Sequence, residues 1–140
     1  ILICVTAILL VSLGEVLWGH TSDARHWTEK LFFGVCHQLP DRTYWIDGAM
    51  MAVNTRCFGI FLGIVAGWAV LPYAGRFAIN KQWPVIFLGI AISLQIVDYL
   101  GNLAELWHNT NHSRAFLGAL FGAALSVSVS DMFVKRTSNN

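Results

Sequence analysis

Long apolar runs alternate with polar stretches along this chain. Four of the runs cover residues 1–19, 57–75, 84–100 and 115–134. Each approaches the roughly 20 helical residues needed to cross a hydrocarbon core. Inside lipid, only helices and closed barrels satisfy their own backbone groups. The pattern therefore predicts an all-α fold, a single integral membrane four-helix bundle over residues 1–140. One structured extramembrane loop, residues 20–56, would join helices 1 and 2.

Local signals divide that loop. Ser22 is suited to cap a short helix over residues 23–35, whose apolar positions recur at helical spacing. Pro40 and the Asp47-Gly48 pair indicate turns. The chain opens at Ile1, and because no basic stretch precedes the first run, we expect that run to be a retained helix.

Composition agrees with a membrane location. Hydrophobic residues make up 56% of the 140 residues and charged residues 12%, where a typical globular protein has about 25% charged residues. The net charge of +1 and the lack of any basic run give no reason to expect a nucleic-acid partner. The lipid bilayer is the expected surrounding.

Basic residues decide the predicted orientation. Four spans divide them between two faces, and one face carries its charges in a short loop and a tail, where the positive-inside rule counts them best. We therefore expect both termini in the cytoplasm and residues 20–56 outside the cell membrane. The first face holds Arg76, Lys81, Lys135 and Arg136, and the second Arg25, Lys30, Arg42, Arg56 and Arg114.

Small residues recur every fourth position in two of the predicted spans. Such stripes let helix backbones approach closely in lipid, so they predict tight helix packing. A face that receives a ligand or a partner subunit's helix is the alternative. The glycines of the stripes are Gly59, Gly63 and Gly67 in the second span and Gly118 and Gly122 in the fourth.

Cysteine and histidine gather on the loop side of the predicted membrane. Cys36, His37 and Cys57 combine thiol and imidazole, a ligand set that suits zinc. His108 and His112 would share a helix face, although the three residues between them are poor helix formers. Cys36 and Cys57 could instead form a disulfide in an oxidising compartment, or remain free thiols. These alternatives stay open.

Four charged residues lie at one predicted depth, each near the loop-side end of a different span: Glu15, Arg56, Asp98 and Arg114. Unpaired ions there are costly, so acids and bases should pair. The layer is predicted to be a structural ion-pair belt or, alternatively, a polar pocket in which arginines hold an anionic headgroup. No catalytic triad order, phosphate-binding glycine loop or HExxH motif occurs, so no catalytic residue is predicted.

Several of these residues form a recognisable set, and with them the chain resembles the prokaryotic membrane-protein family called domain of unknown function 2085, over residues 31–125. Many members have a cysteine where this chain has Asn54, and their Cys-x-x-Cys beside a Cys-His pair looks like metal ligation. The resemblance implies a membrane bundle and these site residues but no activity. They are Cys36-His37, Pro40, Arg42-Thr43, Arg56-Cys57, Gly59-Ile60, Asp98, Asn111, Arg114, Gly118 and Gly122.

Three functions compete at this point. The first is a non-enzymatic accessory subunit of a larger membrane complex, with other membrane subunits as partners. The second is a metal- or cofactor-binding membrane protein that uses the Cys36–Cys57 loop, with zinc as the candidate and no cofactor as the default. The third is a small transporter or a protein that binds lipid headgroups.

Overall fold

The chain is mostly helical. The computed structural model describes residues 2–19, 26–74 and 82–138, so Ser22, Arg25, Arg76 and Lys81 lie outside the described residues. The elements in chain order are α1 (Leu2–Ser12), α2 (Glu15–Trp18), α3 (Trp27–Phe32), a 3-10 turn (Pro40–Arg42), β1 (Trp45–Ile46), β2 (Ala49–Met50), α4 (Thr55–Ala74), α5 (Trp83–Leu103) and α6 (Asn111–Ser138).

Helices α4, α5 and α6 correspond to the last three apolar runs. In the described part of the chain, two segments are long and apolar enough to cross a membrane: α5 over Trp83–Leu103 and the Asn111–Ser130 part of α6. The apolar segments Leu2–Ser12 and Thr55–Val70 are shorter. The protein is therefore a helical chain with two candidate spans, and the four-span bundle remains a prediction.

The first apolar run is broken into two helices. α1 ends at Ser12, and α2 begins at Glu15 after Gly14 adopts a φ of +61°. The Ser12 carbonyl accepts a hydrogen bond from the Ala52 N–H at 3.1 Å, and a Cβ on Gly14 would lie 2.6 Å from that nitrogen. Contact with the loop thus satisfies the carbonyl at the end of α1, and the predicted continuous helix over residues 1–19 is wrong at this point.

A small antiparallel hairpin corrects the all-α prediction. Trp45 pairs with Met50 and Ile46 with Ala49. Between them, Asp47 and Gly48 both have positive φ, 51° and 80°, which is the requirement of a two-residue type I′ turn. The turn predicted from the Asp-Gly pair is confirmed, but its flanking strands of two residues each are too short to show an alternating pattern.

Backbones meet directly where α4 packs on α6. A Cβ built on Gly59 or Gly63 would overlap the carbonyl oxygen of Ala115 or Ala119, respectively. From the other side, a Cβ on Gly118 or Gly122 would overlap a carbonyl oxygen of α4, and Gly67 is closed off by Ala123 and Ser126. All five glycines therefore lie at this contact, and each helix lets the other's backbone enter its surface.

Helix α5 is joined to α6 through side chains. Gln95 Nε2 donates to the Leu117 carbonyl at 3.0 Å, and Ser128 Oγ donates to the Pro84 carbonyl at 3.0 Å. A Cβ added to Gly89 of α5 would have no other atom of the described chain within 4 Å. These hydrogen bonds join the two helices at separate points, whereas Gly89 lies on an exposed part of α5.

The loop has a small core of its own over the start of α4. Phe32, Cys36, Ala52 and Val53 are buried together, and Phe61 of α4 packs on this cluster. Of the short helix predicted for residues 23–35, the described part contains α3, which covers only Trp27–Phe32. His26, rather than the predicted Ser22, caps it by accepting the Thr28 N–H at its Nδ1. The loop is thus packed onto the loop-side ends of the helices.

Candidate functional site

Asp98 and Arg56 form an ion pair at one end of the helical assembly. Arg56, in the first turn of α4, donates through Nη2 to Oδ2 of Asp98 at 2.5 Å. Asn109 Nδ2 donates to the same carboxylate oxygen at 2.7 Å. Asp98 is 8% exposed, so its charge is held by one arginine and one amide rather than by water.

A cavity of about 380 Å³ opens beside this pair. Three of its lining side chains are arginines, Arg42, Arg56 and Arg114, and the described lining residues include no carboxylate. Arg114 is repelled by the other two arginines and attracted by Asp98. Arg56 Nε is buried and has no hydrogen-bond partner in the described part of the chain. The cavity is therefore positively charged.

Other polar groups complete the wall of the cavity. It receives amide side chains from the end of α5 and the turn before α6, and the ring of Tyr99 from α5. The remaining described lining residues are Asn54, Thr55, Cys57, Asn102, Leu103 and Asn109.

The hairpin loop places Arg42 over the helix ends. Arg42 closes the 3-10 turn, and the next residue, Thr43, donates from Oγ1 to the Leu39 carbonyl at 2.8 Å. The Thr43 carbonyl lies 3.4 Å from Nδ2 of Asn111, the first residue of α6. Tyr44 adds a hydroxyl contact of 3.0 Å to His112 Nδ1. The loop and α6 therefore fix Arg42 and Arg114 relative to each other.

Cys36 and Cys57 are neighbours with free thiols. Cys36 is buried, and its Sγ accepts the Asn54 N–H at 3.2 Å. The hydrogen bond from the Cys57 thiol, helped by the backbone N–H groups of Asn54 and Gln38, lowers the pKa of Cys36 to about 6, against the opposing effect of burial. Of the three alternatives left open by the sequence, the structure has the free thiols, which are hydrogen-bonded to each other.

The residues of the predicted zinc site do not fit a four-ligand centre. In the described ranges, no group of three His, Cys, Asp or Glu side chains is arranged to hold a metal ion. His37 is exposed whereas Cys36 is buried. Asn54 Oδ1 accepts a hydrogen bond from the Leu39 N–H and lies 3.0 Å from Thr43 Oγ1, so this oxygen serves the loop. A structural zinc needs four converging ligands.

The structure brings together three of the four predicted layer residues, Arg56, Asp98 and Arg114. The fourth, Glu15, begins α2, which packs against β2.

His108 lies outside α6, so it shares no helical face with His112. Sequence reasoning missed Asn109. One signal was available in the sequence. Asn109 follows Asp98 by eleven residues, and the stretch around Asn109 is too poor in helix formers to continue α5, so the chain can turn back there.

Comparison with known proteins supports the resemblance found in the sequence. Residues 36–128 match a family described as predicted membrane protein, DUF2085. An uncharacterized protein of Methanocaldococcus jannaschii is 35% identical over 91 residues, which cover 63% of this chain and 56% of that protein. The chain thus spans little more than half the length of this relative. No solved structure shows a significant match. With the family match extending over well more than half of its length, the chain belongs to the DUF2085 family of predicted membrane proteins.

Proposed function

We propose that this protein is a multi-pass membrane protein that binds an anionic, phosphate-type group in the cavity of Arg42, Arg56 and Arg114. One observation carries the proposal: three guanidinium groups face one cavity whose described lining offers no carboxylate. Asp98 forms its ion pair with Arg56, and one carboxylate cannot neutralise three guanidinium groups. An anion in the cavity would offset the mutual repulsion of the arginines.

The chemistry of the lining favours a tetrahedral oxyanion. Guanidinium groups donate in a planar fork that matches phosphate oxygens, and such charge-assisted bonds are roughly twice as strong as neutral ones. The amides of Asn102 and Asn109 can supplement the arginines with neutral donors.

The membrane arrangement belongs to this proposal. Two apolar helices support association with a bilayer. We place the protein in the cell membrane with both termini in the cytoplasm, on the distribution of Lys and Arg, so the cavity would open on the outer side. The accessory-subunit role remains a prediction, because the exposed apolar face of α5 suits lipid as well as a partner helix.

Titration of inorganic phosphate into the purified protein in a neutral detergent, followed by calorimetry, tests the proposal. The parent should bind at millimolar concentration or below. Arg114→Gln should weaken binding roughly tenfold or more, as expected for loss of a charge-assisted hydrogen bond. Arg114→Lys should recover part of the affinity, because it restores the charge without the fork.

Lys30→Gln is the matched control. It removes the same charge from an exposed position on α3 that does not line the cavity. It should bind phosphate like the parent. Equal weakening by Lys30→Gln and Arg114→Gln would reveal a nonspecific effect of net charge, and absence of phosphate binding by the parent would overturn the proposed function.

A further inference from the structure

A second, apolar concavity adjoins the arginine cavity. It is a groove of about 480 Å³ between α4, α5 and α6, and Arg56 and Tyr99 line both spaces. The two concavities are therefore adjacent, with these side chains at their common border. The other described residues of the groove are Ile60, Ile92, Gln95, Ile96, Leu100 and Phe121.

The groove runs from the helix ends toward the middle of α5. Tyr99 and Ile92 are seven residues apart on one helix, which corresponds to about 10 Å of depth. Because α5 is a candidate span, the groove would descend into the hydrocarbon region while the arginine cavity stays at the boundary. The charged cavity at the boundary and the apolar groove below it match the headgroup and the alkyl chain of a lipid, respectively.

Two polar groups that line the groove already have hydrogen-bond partners. Gln95 Nε2 donates to the Leu117 carbonyl at 3.0 Å, and Arg56 Nη2 donates to Asp98. The remaining walls are aliphatic or aromatic. The groove therefore offers mostly apolar surface, which suits an alkyl chain better than a polar ligand.

We propose that the two concavities form one site for a single anionic lipid, with its phosphate among the arginines and one alkyl chain along the groove. This inference rests on the proposed function and names its ligand class. Charge complementarity supports it at the headgroup, and the shared residues Arg56 and Tyr99 support it at the junction with the chain.

The test compares lipid retention by variants that differ only in the groove. Protein is reconstituted in phosphatidylcholine vesicles with a minor fraction of phosphatidylglycerol, extracted in neutral detergent, and its retained lipid is measured by mass spectrometry. Ile96→Trp should fill the groove. Val97→Trp is its matched control, since Val97 is 56% exposed and Ile96 53%, but only Ile96 lines the groove.

The parent should retain phosphatidylglycerol in preference to phosphatidylcholine, and Val97→Trp should do the same. Ile96→Trp should reduce retention roughly tenfold, which corresponds to about 1.4 kcal/mol. Its calorimetric binding of inorganic phosphate should remain, which also shows that the variant is folded. If it loses phosphate binding as well, Ile92→Trp takes its place, with the same two measurements.

Other outcomes overturn the inference in distinguishable ways. If Ile96→Trp and Val97→Trp retain phosphatidylglycerol equally, or the parent shows no preference for it, while phosphate still binds, the ligand is a soluble anion and the proposed function survives. If the parent binds neither phosphate nor phosphatidylglycerol, both proposals fail together.

Discussion

The α4–α6 contact and the α5–α6 contact join helices in different ways. Between α4 and α6, glycines bring backbone against backbone, as where a Cβ on Gly63 would overlap the Ala119 carbonyl. Between α5 and α6, side chains such as Gln95 donate hydrogen bonds to the neighbouring backbone. The first contact leaves no room for a ligand, whereas the second borders the groove. Rigid packing and binding space are thus assigned to different helix pairs.

This division explains why the arginine cavity lies where it does. Arg56 and Arg114 belong to α4 and α6, whose backbones pack closely. Asp98 belongs to α5, which is joined to α6 through side chains. The tight pair keeps two positive charges close despite their repulsion. Helix α5 supplies the carboxylate that partly neutralises the arginines, and it forms one wall of the arginine cavity.

Substitution at the tight contact should have the largest effect. We expect Gly63→Leu or Gly122→Leu to destabilise the fold by about 3 kcal/mol, because a side chain there must displace backbone atoms. Thermal unfolding in detergent measures the change.

Gly89→Leu is the control for this experiment. It makes the same chemical change on α5, where a Cβ meets nothing within 4 Å, so it should be neutral or slightly stabilising through helix propensity. Equal loss of stability at positions 63 and 89 would mean that the loss at position 63 does not arise from the close α4–α6 contact.

Asp98→Ala should have the second largest effect, about 2 kcal/mol, because it leaves Arg56 and Asn109 without their shared acceptor. This value is below the range for fully buried pairs, since the Arg56 side chain is 32% exposed. Asp98→Asn should cost less, because its amide oxygen can still accept from Arg56.

The same variant separates a structural ion pair from a binding site. Removal of the acid makes the cavity more positive, so Asp98→Ala should bind inorganic phosphate more tightly in calorimetry while it unfolds at a lower temperature. A loss of stability with unchanged or weaker phosphate binding would limit the cluster to a structural role.

Gln95→Leu should have the smallest effect. A hydrogen bond between helices in a membrane contributes about 0.6 kcal/mol on average, and the other contacts of α5 remain. Thermal unfolding should change little, and phosphatidylglycerol retention should persist because Leu keeps the groove apolar. A loss comparable to that of Gly63→Leu would mean that α5 depends on this one bridge.

Much of the helical layout could be predicted from hydropathy. α4, α5 and α6 begin and end within a few residues of the predicted runs, except that α6 extends at both ends beyond residues 115–134. The break at Gly14 could not be predicted in this way, since glycine is tolerated in apolar helices. It depends on Ala52, 38 positions away in the chain, whose N–H binds the Ser12 carbonyl.

The candidate site was predictable only where the position of a residue along its span reveals its depth in the membrane. Arg56, Asp98 and Arg114 share a membrane depth that sequence position reveals. Tyr99, Asn102 and Asn109 join them through the direction of the helix ends, which no local pattern encodes. The groove depends on how far α5 stands from its neighbours, and that distance is a property of packing.

The Gln38 side chain has a consequence for how the loop opens. Its Nε2 donates both to the Glu29 carbonyl of α3 and to the Ala52 carbonyl before α4, at 2.6 and 3.0 Å. Asn54 Oδ1 holds the intervening turn by accepting a hydrogen bond from the Leu39 N–H. Amide hydrogens across residues 36–54 should therefore exchange with solvent in one cooperative step. Because Arg42 belongs to that unit, an occupied cavity would slow the exchange of the whole segment.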